Sequence, residues 1–164
     1  MPLVCTVMLT ALVVIGCAPV ISQEVLKQVD QSVRFEQLLE NPEGYRGRTV
    51  LLGGDIIETQ NLADKTLIVV LQRSLGYRKK PAAVGVSKGR FIVSVPGFLD
   101  PSIYRPGRKI TVVGLVVGTE VRPLGEIEYT YPLIAKRELY IWPTEESSAA
   151  GSGVHFGVGI GISL

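Results

Sequence analysis

The chain is poor in the side chains that most often carry out chemistry. A single histidine, His155, stands near the C-terminus, so neither a Ser/His/Asp triad nor a two-histidine metal site can be assembled. Its two cysteines, Cys5 and Cys17, both lie near the N-terminus, which leaves the rest of the chain without a thiol pair to oxidise. The formal net charge is only +2, far from the basic footprint of a nucleic-acid binder. Gly53-Gly54 stand alone and the glycines of the tail merely alternate, so no phosphate-cradling loop is spaced correctly. Carboxylates Asp55 and Glu58 are close in sequence but point to different faces of a strand. Glu126 and Glu128 share a face and read as a solvated strand surface rather than a glycosidase pair. A hydrolase would need one of them in a deep pocket with a raised pKa. No catalytic residue, metal ligand or cofactor is therefore expected, and the chain reads as a non-enzyme.

What the chain does have is a long apolar N-terminal run. Residues 3–15 carry no charge and are rich in Leu, Val and Ile, with the length of a signal-peptide core. The run closes at Val14-Ile15-Gly16-Cys17 and turns polar at Ser22-Gln23-Glu24. This pattern resembles the lipobox of bacterial lipoproteins. In that class the cysteine thiol receives a diacylglycerol, the peptide is cut just before it, and the freed amine is acylated. Each buried CH₂ adds about 0.8 kcal/mol of membrane affinity, so two or three chains hold a protein where one does not. Ala18, rather than Asp, follows the cysteine, which by the same resemblance implies the outer membrane. No Lys or Arg precedes the apolar core, where a leader normally carries positive charge.

Two alternatives place the domain outside the cytoplasm as well. Residues 3–21 are long enough for an uncleaved membrane span, although Gly16 and Pro19 argue against a continuous helix. Cys17 can also be an apolar residue of a leader cut elsewhere. The organisation expected is a leader at 1–16, a lipidated tether at 17–31, one domain at 32–143, and a linker with an apolar tail at 144–164.

Within the domain, Phe35 and Leu38 recur at helical spacing before Pro42, which predicts a short helix over 32–40 packed on a sheet. Residues 41–47 form a turn. From Thr49 onward, runs of β-branched residues are broken by Gly and Pro. They predict strands at 49–58, 66–72, 90–95, 109–117, 126–131 and 133–142. Gly53-Gly54 in the first suggests a bulge or sharp bend. Six short strands with one helix imply a mostly β fold, a small closed or nearly closed OB-like barrel, with a two-sheet sandwich as the alternative.

Two polar or unusual stretches remain. Arg73, Arg78, Lys79 and Lys80, with Tyr77 among them, form a basic loop. It reads either as solvated surface or as a contact with anionic head groups or lipopolysaccharide phosphate. Arg90, Arg105 and Arg108 extend it only if the fold gathers them. In the tail, Val154, Phe156, Val158, Ile160, Ile162 and Leu164 alternate with small residues and His155, which puts all apolar side chains on one face. That tail is a loose end, an edge strand, or a surface that pairs with another chain or the membrane.

Several segments carry a family resemblance in their order. They are the lipobox, Tyr45-Arg46-Gly47-Arg48-Thr49-Val50, Val70-Leu71-Gln72, Ser87-Lys88-Gly89-Arg90-Phe91, Gly97-Phe98-Leu99-Asp100-Pro101, Gly107-Arg108-Lys109-Ile110-Thr111, Tyr129-Thr130-Tyr131-Pro132 and Trp142-Pro143. Together, over roughly 17–143, the chain resembles the Slp family of outer-membrane lipoproteins. The resemblance implies a lipid-anchored envelope protein, linked in some members to starvation or stress, with Cys17 as the lipidated residue. It implies no catalytic residue or ligand. Expected partners are the outer membrane itself, through the anchor, and an envelope protein or lipopolysaccharide, with no nucleic acid. A second expectation is a periplasm-facing module that binds an oligosaccharide, peptidoglycan or anionic lipid head group on an open barrel face. Tyr77, Phe91, Tyr104 and Tyr129 decide between them: a binding face gathers these rings in one exposed groove, and a structural role buries or scatters them.

Overall fold

A computed structural model describes residues 19–144. Cys17, the leader ahead of it and the alternating tail with His155 lie outside the described residues. The β-branched runs form β1 (Thr49–Asn61), β2 (Lys65–Gln72), β3 (Arg90–Pro96), β4 (Lys109–Leu124) and β5 (Ile127–Ile141). The sheet closes on itself in the order β1-β2-β3-β5-β4. Neighbours are antiparallel except β3 and β5, which run parallel through the pairs Ile92–Leu133, Val93–Ile134 and Ser94–Ala135. This is the small OB-like barrel the sequence predicts, and the sandwich alternative falls away.

Five strands replace the six expected because the last two are one. β5 runs straight through Pro132, which lies opposite Thr119 of β4. Before Leu133, β5 has a neighbour only on the β4 side, the edge-like setting in which a strand admits a proline. β4 likewise continues past residue 117 to Leu124. Gly125, at φ +64, then turns the chain into Ile127 in a two-residue hairpin, with glycine at the first central position as a II′ turn requires.

β1 changes neighbours along its length, pairing with β4 over residues 49–55 and with β2 over residues 54–61. Gly54 sits at the changeover, where a Cβ would lie 1.9 Å from the Leu71 carbonyl oxygen. Only a residue without a side chain lets the backbones come so close. The bulge itself falls slightly later, between Ile56 and Glu58.

Inward-facing residues fill the barrel, among them Val50 and Leu52 of β1, Ile68 and Val70 of β2, Phe91 and Val93 of β3, and Ile110 and Val112 of β4. Helix α2 (Phe35–Glu40) adds Phe35 and Leu38 to this core. Phe35 meets Phe91 edge to face, with ring centroids 5.9 Å apart. Each such buried side chain contributes roughly 1.5–3 kcal/mol. The helix starts later than the predicted residue 32 because Asp30 takes both the backbone N–H and the hydroxyl of Ser32, at 3.0 and 2.6 Å, which holds that stretch as a turn.

Burial along β2 does not alternate, since Thr66 through Val70 are all buried. Ile68 and Val70 face the barrel interior, while Leu67 and Val69 form a second apolar cluster with Ile92 and Tyr131 on the outside. The cover is the far arm of the β4–β5 hairpin. Tyr129 and Leu133 pack against this cluster, the Tyr129 and Tyr131 rings lie 4.6 Å apart, and the Tyr129 hydroxyl accepts the Arg90 backbone N–H at 3.0 Å. The arm is re-aimed by a register shift between Val116 and Gly118, with Gly118 at φ +142.

Residues 21–30, upstream of the predicted domain, are also seated on the barrel. Ile21 is 1% exposed. The backbone N–H and hydroxyl of Ser22 donate to the Glu138 carboxylate at 2.9 and 2.7 Å. One helical turn, α1 (Gln23–Leu26), follows. Arg137 then donates to the Gln28 side chain, and the Asp30 N–H donates to the Thr49 carbonyl at 2.8 Å. These contacts make the segment a strap rather than a loose leash.

Candidate functional site

The segment between β2 and β3 carries the basic residues singled out from the sequence, and the barrel wall grips it at three places. Asp55, on β1, accepts from Arg73 Nε at 2.7 Å and from Lys109 Nζ at 2.6 Å. Both cations also reach back to the segment: Arg73 donates to the Gly85 carbonyl at 2.5 Å and Lys109 to the Ala82 carbonyl at 3.1 Å. Partial burial pushes the Asp55 carboxyl up, but its bonds to Lys109 and Arg73 outweigh this, and the group ends below its ordinary 3.8.

The second grip is Thr111 of β4. Its hydroxyl donates to the Lys79 carbonyl at 2.7 Å and accepts the Trp142 indole N–H at 2.9 Å. The third is a cation–π contact, with Lys80 Nζ 5.7 Å from the centre of the Trp142 ring. Between these grips the chain makes a tight turn at Tyr77–Lys79. Arg78 and Lys79 are both left-handed, at φ 54 and 63, a conformation that costs a non-glycine residue about 1 kcal/mol or more. It is held by the Gly76 N–H donating to the Lys80 carbonyl at 2.9 Å and by the Leu75–Pro81 bridge. The result is a stiff tip on which Tyr77 is 90% exposed.

The predicted basic residues therefore separate. Arg78, Lys79 and Lys80 are exposed at the tip, whereas Arg73 turns to Asp55 and serves to fasten the loop. Of the three arginines considered as extensions, Arg108 joins the group: it lines a groove with Lys80, Lys109 and Trp142 and donates to the Trp142 carbonyl at 2.8 Å. Arg90 lies instead at the start of β3, under Tyr129. Arg105 is exposed in the turn before β4.

A groove of about 260 Å³ separates the tip from the strap. Pro19, Val20, Ile21, Gln23 and Leu26 form one wall and Tyr77, Arg78 and Lys79 the other. Sequence reasoning missed this juxtaposition, because the strap was read as tether; the apolar Val20-Ile21 pair just ahead of Ser22 was the available signal.

The aromatic residues do not share a groove. Phe91 is buried in the core, Tyr104 packs at the edge of that core, and Tyr129 lies in the outer cluster. Of these four rings, only Tyr77 stands out from the barrel surface. Glu126 and Glu128 are exposed around the hairpin tip. Among the described residues there is no group of three or more His, Cys, Asp or Glu that could hold a metal ion, and no helix is long and apolar enough to cross a membrane.

Fold and site together define a small closed β barrel, strapped at its N-terminal end beside a rigid basic loop. The chain belongs to the Slp family of outer membrane lipoproteins, whose model matches residues 14–156. That match opens at Val14, within the lipobox-like sequence, and runs past Pro143 into the first residues of the tail. Among curated proteins, the chain is 40% identical over 96 residues to an uncharacterized protein of Haemophilus influenzae, covering 58% of this chain and 52% of the relative. It is 30% identical over 95 residues to an uncharacterized lipoprotein, YeaY, of Escherichia coli K12, covering 58% and 49%. The chain thus spans about half the length of the curated relatives it matches.

Proposed function

We propose that this chain is held on the outer membrane by acylation of Cys17 and serves there as a non-catalytic structural or stress-related lipoprotein, its barrel facing the periplasm. The observation that carries this reading is the strap. Val14-Ile15-Gly16-Cys17 is followed almost at once by Ile21, which is buried, and Ser22, bonded to Glu138. A lipid placed on Cys17 is thereby joined to the folded body with little slack. A structural role is supported by the way the molecule uses its polar and aromatic groups. Asp55 is spent on two cations that fasten a loop. The outer face of β2 and β3, which an OB barrel offers to oligomeric ligands, is covered by Tyr129, Tyr131 and Leu133 of its own hairpin arm.

The test is an intact mass of the membrane-extracted protein beside Cys17→Ser, with membranes separated on a density gradient. The expected result is a chain beginning at Cys17 that carries a diacylglycerol and a third acyl chain, found in outer-membrane fractions and lost in the variant. Full-length unmodified protein in the inner membrane would overturn the reading.

A further inference from the structure

We infer that the tip at Tyr77, Arg78, Lys79 and Lys80 is a second, non-covalent membrane contact, resting on the anionic phospholipid head groups of the leaflet that holds the anchor. The inference deepens the anchor reading and rests on it. Two independent features bring the tip to that surface. The first is placement: strap residues Pro19, Val20 and Ile21 and tip residues Tyr77, Arg78 and Lys79 are opposite walls of one groove. The Cα of Cys17 is only four residues from the buried Ile21, so the acylated end lies within about 14 Å of the point where the strap is pinned. A tip that borders the pinned strap therefore starts close to the bilayer.

The second feature is chemistry. Three consecutive cations follow an exposed tyrosine, and a tyrosine with its apolar ring and polar hydroxyl suits the head-group layer. Each Lys or Arg near an anionic leaflet gains roughly a fivefold preference for the surface at low ionic strength. Long basic side chains also lay their stems along apolar matter while their charges stay with phosphate. Two nearby carboxylates are engaged elsewhere: Asp55 holds Arg73 and Lys109, and Asp30, which shares a neighbouring groove with Lys79, is bonded to Arg48 at 3.1 Å. The stiff turn matters too, because a left-handed Arg78-Lys79 pair fixed by Thr111 presents its charges without first having to be ordered. The lipid anchor supplies the attachment, and the tip sets which side of the barrel faces the membrane.

The test uses the full chain with Cys17 intact and Cys5→Ala, carrying a bilayer-quenchable fluorophore at Tyr77→Cys or, as control, at Phe98→Cys near the opposite end of β2. Extracted protein is reconstituted into phosphatidylcholine vesicles with and without phosphatidylglycerol, each doped with a spin-labelled lipid. Flotation reads the anchor, and quenching reads the contact. The expected result is flotation in both, strong quenching at residue 77 only with the anionic lipid, little at residue 98, and loss of most quenching in 0.5 M salt or in the Arg78→Gln, Lys79→Gln, Lys80→Gln variant. Protein that floats with label 77 unquenched, or quenched equally in neutral vesicles, overturns the contact and leaves the anchor standing. Protein that fails to float overturns the anchor and the contact with it.

Discussion

One carboxylate, Asp55, holds two cations that belong to different parts of the molecule, Arg73 at the end of β2 and Lys109 at the start of β4. Because hydrogen bonds to charged groups are each worth about 1.5–3 kcal/mol and the site is partly shielded from water, Asp55→Asn should cost about 2 kcal/mol in urea unfolding at pH 7. The pH dependence has a definite sign. The carboxyl sits below its ordinary 3.8 in the folded protein, so its contribution is complete above that value and is lost as pH falls through the lower folded pKa. Asp30, Glu36 and Asp100 are lowered too, by hydrogen bonds to Ser32, Lys88 and Ser102. The difference between wild type and Asp55→Asn isolates the one group: it should be constant from pH 5 to 8 and shrink below about pH 4. A difference that grows with acidification would contradict this account.

At the scale of elements, much was legible because local chemistry dictated it. β-branched runs marked where strands begin, Phe35 and Leu38 marked the apolar side of α2, and Gly53-Gly54 marked the sharp course of β1. Three things were not legible. Pro132 looked like a break because its tolerance depends on β5 having one open side there, a fact of tertiary pairing. The hairpin arm looked like a separate strand because its apolar residues face the outside of β2 and β3, which no local period reveals. The strap looked like tether because its burial rests on one isoleucine and on Glu138, far along the chain. The close approach of β1 and β2 gives a sharp test. Gly54→Ala places a methyl 1.9 Å from a backbone oxygen, so the barrel must open or fail, with a loss of about 3 kcal/mol or more. Circular dichroism melting of the variant checks it, and an unchanged Tm would show that the backbones can separate freely.

On the scale of the whole molecule, the strap decides how the barrel is carried. Ile21→Ala removes most of a fully buried side chain at the end of the described structure, a change worth about 2–4 kcal/mol locally. Amide hydrogen exchange should then show protection lost over residues 22–30 while β2, β3 and β4 keep theirs. Equal loss in the strands would mean that strap and barrel unfold as one unit. The third grip on the basic loop has a practical side. Trp142 is the sole tryptophan of the chain, it lies buried with its N–H on Thr111, and a lysine of the loop stands over its ring. Its ultraviolet emission therefore reports on the place where the loop is fastened to the barrel: any event that lifts Lys80 or wets the indole will shift the colour and yield of that one lamp, and the native chain can be followed without a dye.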